Sequence, residues 1–536
     1  MAGALKLTSI SAPGFLGLNT QDSGVTLESG YATVANNCVI DKYGRLGARK
    51  GWSTVTTNNG TLADDENIEA IYEFKDITGT ITYLSAGGGK LFTGKETLTE
   101  HNVKQADETT NASVLFTTNR WKFVSLPEGS GPTASSYAFA AQIGAPMLVW
   151  RRASHVGNYI FQRVGTDYGA KPSGVTVFDP DCVLAAFGRI WTANLTSTKS
   201  TIYYSKLLDG ADFSSSGSGL VDISSVVGNN DEITALAQHN NYLIVFCKNN
   251  IVVYEGANSP TTMTLADVVT GVGCIARDSV QYTGTDLIFL SKTGVRSFNR
   301  TIQENSMPLR ELSLNIRDDL VGYLAVETLS NIKSTYFERD AFYLLTFPGS
   351  RTMVYFDLRS MLPNGAARAT LWNNDAGSTY TAFCSTEDRK LLLGLPGKIG
   401  EYTGYIDGTD VYTMQYYTSN ADLGAPATSK FLKRASLVVI GSGDQDFVFK
   451  YGYDYTINYS SQAIIKNLGL ADFAKYNTTA EYNVAEYASV GIGVNTISVP
   501  LGGSGKVIQF GVEATVAQDP VSIQKIDVFL KTGKNS

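Results

Sequence analysis

Three histidines, five cysteines and a few acidic, basic and glycine-rich clusters are where this 536-residue chain could carry chemistry. His101, His155 and His239 stand isolated, with no HExxH and no His/Cys set at zinc-ligand spacing. Each is expected to be a surface or satisfied core side chain. The stretch LGGSGKV (501–507) resembles a phosphate loop at first sight. A GxxxxGK[ST] loop would need Gly where Pro500 stands and Ser or Thr where Val507 stands, since that hydroxyl holds magnesium. A hairpin turn between NTISVP and VIQFGV is expected instead.

Glycosidases on propeller scaffolds need an acid, a second carboxylate or Tyr nucleophile, and often Arg for an anionic sugar. FGRIW (187–191) has the Arg, but no SxDxGxTW box occurs, and the segment equally suits the opening of a buried strand. Asp179-Pro180-Asp181 pairs two carboxylates around a proline that favours a turn. The basic cluster Lys42, Arg45, Arg49 and Lys50 could hold an anion, although a solvated or interface face is the simpler expectation. No Asp follows any of the five tryptophans, which removes the WD40 signature. Cys38, Cys182, Cys247, Cys274 and Cys384 are scattered, with no CxxC, and suit buried thiols of a protein made in a reducing cytosol. No catalytic, cofactor-binding or metal-binding residue is assigned, no cofactor is expected, and the chain is not expected to be an enzyme.

The elements that must position these residues are strands. Tyr242 to Cys247 and Ile251 to Tyr254 are short apolar runs joined by Lys248-Asn249-Asn250. Asp286 to Leu290 and Val295 to Phe298 repeat the pattern across Ser291-Lys292-Thr293-Gly294. This is hairpin chemistry, and recurrence at about 40–50 residues points to a β-propeller. Similar units lie at 68–94, 120–152, 182–213 and 339–358, with 380–404 as a seventh candidate. Six blades are expected. SLNIRDDLVGYL (313–324) has helical spacing, with Ser313 as its cap, and suits a short helix on the propeller flank.

Length allows two to four domains. The expected division is an N-terminal extended arm and strand pair over 1–60, a propeller over 61–410, and an antiparallel β-sandwich-like platform over 411–536. Within the first, a strand over 35–40, a turn at 41–44 and a return strand to Trp52 are expected. Within the last, SLVVIGSGDQDFVFKYGY alternates, with Phe447, Phe449 and Tyr451 opposite Val448 and Lys450, so one face should be wet. Residues 461–489 are expected to be a polar loop or weak helix. The fold class is therefore all-β, with few helices.

The net charge is −7, without a basic tail, which argues against nucleic-acid wrapping. The opening MAGALKLTSISAPGFLG lacks a signal-peptide core, and no run approaches the roughly 20 apolar residues of a membrane span.

Three stretches carry a family resemblance. GLNTQDSGVTLESGYATVANNCVIDKYGRLGARKGW, the central DEITALAQHNNYLIVFCKNNIVVYEG…GVGCIARDSVQYTGTDLIFLSKTGVRSF, and the closing SKFLKRASLVVIGSGDQDFVFKYGYDY with KVIQFGVEATV…QKIDVFLKTGK do so. Together they resemble the tail nozzle (tail tubular, packaged-DNA stabilisation) proteins of short-tailed double-stranded DNA bacteriophages. The resemblance implies a structural virion protein made in the host bacterial cytoplasm. It further implies a homohexameric ring below portal and adaptor proteins, in contact with the adaptor and with tail fibres or a tail needle. Double-stranded DNA would pass through its lumen without specific binding. It carries no catalytic motif and no small-molecule substrate. A carbohydrate-binding or glycan-degrading propeller is the alternative, and a monomeric scaffold propeller the third class.

Overall fold

The computed structural model describes residues 5–533 apart from 25–26, 115, 117–119, 129–134, 156, 229–230, 300–310, 374–378, 424, 442–443, 457–458 and 468–492. Runs of β-branched and aromatic residues punctuated by Gly and Asn pleat into short strands, which collect into sheets around one axis. Six blades are each built from strands that neighbour one another in the chain. Their innermost strands are Ile68–Lys75, Lys122–Glu128, Cys182–Ala186, Ile233–His239, Gln281–Tyr282 and Lys333–Phe337. A seventh, composite sheet closes the ring. It holds Ala382–Ser385, Leu391–Leu395 and Lys398–Tyr402, and its outer strand is Trp52–Thr54 from far upstream. Its inner strand touches the inner strands of both the sixth and the first blades. The seventh sequence candidate is this sheet.

The apolar residues lie between blades, which is why the blades hold together. Phe74 and Leu84 of the first pack with Phe123, Leu148 and Trp150 of the second. Trp191 and Ile202 of the third pack with Val245 and Cys247 of the fourth. Phe342 and Tyr355 of the sixth meet Leu391 and Leu393 of the seventh, whose other face, Cys384 and Leu392, packs on Ile68 and Ile71 of the first. A strand such as Tyr242–Cys247 is covered on both faces, so it reads as an unbroken apolar run. All five cysteines are buried and unpaired.

Beyond the propeller the strands form two sheets around one core. The first runs Gly493–Pro500, Lys430–Gly441, Val521–Thr532, Leu46–Ala48, Cys38–Ile40, with Leu5–Ser11 also paired to Val521–Thr532. The second continues the sixth blade outward. After Arg368–Trp372 come Tyr31–Asn36, Tyr412–Thr418, Ile508–Val516, Asp444–Tyr453 and Ser460–Asn467. Leu437, Val439 and Ile526 of one sheet share a core with Phe449, Tyr451 and Val512 of the other. The expected alternation is observed, with Phe447, Phe449 and Tyr451 buried while Val448 and Lys450 are partly exposed. Residues 5–54 supply strands to both sheets and to the seventh blade, so they are a joint rather than a free arm.

Other expectations change. LGGSGKV does not close a hairpin, because Gly493–Pro500 and Ile508–Val516 lie in different sheets and 501–507 crosses between them. Gly503 and Gly505 sit against the Tyr453 ring, where an added Cβ would come within 2.7 and 2.8 Å of it. The helix is Arg317–Val326, preceded by the 3-10 turn Leu314–Ile316, and Ser313 does not cap it. Instead the Ser313 hydroxyl accepts the N–H of Val295. Most of the polar insertion at 461–489 lies outside the described residues. The hairpin at 38–48 forms with its turn at Asp41, as expected. No helix among the described residues is long and apolar enough to cross a membrane.

Ring closure depends on a tight approach at Gly51, whose Cβ would stand 2.0 Å from the carbonyl oxygen of Ile406. Gly51→Ala is expected to destabilise the protein by about 1–3 kcal/mol through overpacking, measured by chemical denaturation. Unchanged stability would show that this junction has slack.

Candidate functional site

The inner strands and the turns that lead into them bring charges to the propeller axis. Arg277 and Asp278 open the short 3-10 turn Arg277–Ser279 between the fourth and fifth blades. The Arg277 side chain is almost wholly buried and every face of its guanidinium is engaged. Nε and Nη2 donate to the two Asp278 carboxylate oxygens, each at 3.0 Å. Nη1 donates to the Asp181 carboxylate at 2.9 Å and to the Asp181 carbonyl at 2.7 Å. Nη2 reaches the carbonyls of Arg120 and Trp121 at 3.2 and 3.3 Å. Asp278 also accepts from Lys333 Nζ at 2.7 Å, and its carbonyl accepts the Ser334 hydroxyl. Arg277 thus ties together the segments that enter the second, third and fifth blades, and Asp278 carries the link on to the sixth.

Burial by itself would raise the Asp278 carboxyl, but Arg277, Lys333 and Lys122 hold it well below the usual carboxylate range. Burial lowers the Lys122 ammonium, with Asp278 opposing. Glu69, on the inner strand of the first blade, lacks such compensation. Burial pushes its carboxyl up to about 7, with Lys333 pulling the other way.

Two cavities flank this cluster. One of about 530 Å³ is bounded by Val183, Leu236, Tyr282 and Arg277. The other, about 320 Å³, is bounded by Glu69, Tyr72, Phe123, Tyr336 and Asp278. Lys122 borders both. The Arg277–Asp278–Lys122 set is therefore the partition between them. Chemically this is a locked ion-pair core with one protonatable carboxyl beside it. Cys182 borders the larger cavity, but its thiol donates to the Thr234 carbonyl and burial raises its pKa, which disfavours the nucleophilic thiolate.

The residues singled out by sequence fall elsewhere, with one exception. The Asp179–Asp181 segment forms no turn, only a bend at Asp181, and its two carboxylates part company. Asp179 accepts from the Gly144 N–H and the Thr196 hydroxyl, whereas Asp181 joins the axial cluster. FGRIW opens a buried strand across a left-handed Phe187-Gly188 turn, and Arg189 donates to the carbonyls of Ser205 and Gly217. The basic cluster is only in part a solvated face, with Lys42 exposed and Arg49 not. Arg49 is fully buried, held by both Asp407 oxygens and lying over the Tyr412 ring, while Arg45 pairs with Asp41 and Lys50 with Asp340. His101 stacks edge-on with Trp150, His239 with Phe298, and His155 meets Glu108. Among the described residues no group of His, Cys, Asp and Glu could hold a metal ion. Sequence reasoning passed over Arg277 and Asp278. The available signal was an Arg-Asp pair set between two buried strands, in CIARDSV.

Two outcomes are expected. Arg277→Ala leaves Asp181 and Asp278 buried without their cation, so a loss of about 3–5 kcal/mol in a denaturant titration is expected; a loss under about 1 kcal/mol would mean the cluster is peripheral to stability. For Glu69, the folded pKa of about 7 lies above the ordinary 4.5. In that window the native state keeps a proton that the unfolded chain has lost, so this group makes stability fall as pH rises. Glu69→Gln is expected to flatten that slope and to stabilise the protein relative to wild type above neutral pH. Identical pH–stability curves would show that Glu69 ionises freely.

No family model matches the chain, and no curated protein matches it. Solved structures do. A chain named as the extracellular domain of a one component system from B. thetaiotaomicron is 10% identical with TM-score 0.38, covering 68% of this chain and 41% of that one. This chain thus spans about two-fifths of that protein's length. The WD40 domain of Neurospora crassa Pan2 is 9% identical with TM-score 0.33, covering 68% of this chain and 98% of that one. The WD40 propeller domain of Doa1 is 10% identical with TM-score 0.28, covering 49% and 88%. Likeness at this level bears on nothing beyond the propeller that the sheets already display.

Proposed function

We propose that the chain is a structural, ring-forming protein of a short bacteriophage tail, extending a DNA channel below portal and adaptor proteins. In this reading it retains the packaged genome and lets it pass on infection. The observation that carries the reading is where the resembling residues fall. The N-terminal stretch that carries the resemblance to tail nozzle proteins supplies Tyr31–Asn36, Cys38–Ile40, Leu46–Ala48 and Trp52–Thr54, the strands that join the propeller to the outer sheets. A motif spent on joining modules supports an architectural role.

The axial chemistry agrees with that role. The ion pairs at the propeller axis are directed at one another, so the DNA path in this reading runs between subunits. A passage for DNA should bind it weakly, because each phosphate neutralised by Lys or Arg adds salt-dependent affinity and slows transit. A chain of net charge −7 repeated around a ring favours repulsion. A closed ring needs two different faces per subunit, which suits a propeller with a second, two-sheet unit. The homohexamer, the contacts with adaptor and with tail fibres or needle, and the place in the virion tail all belong to this proposal. A glycan-binding or glycan-degrading propeller is the second reading, carried by the axial cavities with Tyr72, Phe123 and Tyr336 beside Glu69.

Light scattering on the purified protein, with negative-stain images of the same sample, tests the first reading. Six-fold rings, formed alone or after a portal–adaptor complex is added, are the expected outcome. A species that stays monomeric with the connector present would overturn it, and a glycan-binding screen would then decide the second.

A further inference from the structure

The axial cavity of about 320 Å³ is bordered by one carboxyl and one amine that the fold leaves unmatched. Glu69 is the second residue of the first blade's inner strand, and Lys122 is the first residue of the second blade's. Those strands touch, so the two residues border one cavity from adjacent walls. Both residues are partly exposed. Neither side chain forms a hydrogen bond or an ion pair with another described residue.

The neighbouring polar groups on the wall are already engaged. Lys333 donates to Asp278, which also accepts from Arg277, while Gln281 donates to Ser334 and Glu73 accepts the Glu387 N–H. Burial without a contacting counter-charge marks both free groups. It raises the Glu69 carboxyl, with Lys333 opposing, and lowers the Lys122 ammonium, with Asp278 opposing. Each is a charge the chain keeps at a cost to its stability. The rest of the wall includes Tyr72, Phe123 and Tyr336, whose rings offer apolar faces. A volume near the lower end for small-molecule sites fits one compact molecule rather than a polymer.

We infer that this cavity binds a free α-amino acid with an apolar or aromatic side chain. Lys122 takes the α-carboxylate, Glu69 takes the α-ammonium, and the rings take the side chain. A simple carboxylate or a simple amine would meet one of the two charges, and a neutral sugar would meet neither. The inference stands apart from the tail reading and needs no ring. It also gives this cavity a different ligand from the glycan reading.

Isothermal titration of the full chain with phenylalanine, leucine, 3-phenylpropionate, phenethylamine and maltose tests it. Phenylalanine is expected to bind about tenfold or more tightly than phenylpropionate or phenethylamine, each of which lacks one of its charges. Lys122→Met is expected to erase the advantage over phenethylamine, and Glu69→Gln the advantage over phenylpropionate. Each variant removes a charge that has no partner in the protein, so both are expected to fold. An ammonium beside Glu69 favours its ionised form. At pH 6 phenylalanine is therefore expected to release more protons on binding than phenylpropionate, a difference that Glu69→Gln removes and a merely structural role would not produce. Absence of binding by both amino acids, equal affinity for phenylpropionate or phenethylamine, or preferences untouched by the two variants would overturn the inference. So would maltose binding more tightly than either amino acid.

Discussion

A single guanidinium holds the propeller's centre. Radial sheets have no hydrogen bonds from one blade to the next along the axis, so the inner edge must be closed by side chains. Arg277 supplies that closure by meeting two carboxylates and three backbone carbonyls drawn from separate blades. The arrangement is affordable only because every donor is used. A buried ion pair with one member missing is strongly destabilising, whereas a fully bonded one roughly offsets its own desolvation. Its contribution is therefore one of position, since it specifies which segments meet at the axis, while the apolar seams between blades supply the bulk of the burial.

The second constraint is the joint. Residues near the start of the chain close the seventh blade, pair with the sixth, and complete both outer sheets. Arg49 repeats at this joint what Arg277 does at the axis. Its guanidinium bridges Asp407, Asn37 and the carbonyl of Asn373, three points distant in sequence. Propeller and outer sheets thus share strands, so neither can shift without disturbing the other. Such rigidity suits a load-carrying part better than a hinged one.

Much of the propeller was legible in the sequence because its signal is local. Each blade announces itself through a buried run, a turn with Gly or Asn, and a second run, as in Tyr242–Cys247 followed by Asn250–Glu255. The outer sheets were half legible. Alternation identified Phe447, Phe449 and Tyr451 as one face, but nothing in LGGSGKV says that its flanking strands belong to different sheets. Partner choice there is decided by residues hundreds of positions away. Of the axial site only Asp181 stood out in the sequence, and for a different reason, its pairing with Asp179. Arg277, Asp278 and Lys333 look like ordinary surface charges until the ring brings them together, and a composition with interspersed charges offers no contrast to find them by. Arg49 misled for the same reason, since a basic run gives no hint of which member is buried.

The pairing of Leu5–Ser11 with Val521–Thr532 has a consequence for biosynthesis. Leu5 finds its partner in Lys531, so the first strand waits, unpaired, for nearly the whole chain to be made. At elongation rates of about 5–20 residues per second, that wait is on the order of half a minute to two minutes. Throughout it the blades can assemble in order behind the ribosome, while the outer sheets stay open at an apolar edge. The nascent chain is therefore exposed to wrong pairing with its neighbours on a polysome until its last strand emerges. A chaperone arriving in that interval would meet a half-built sheet rather than a finished surface.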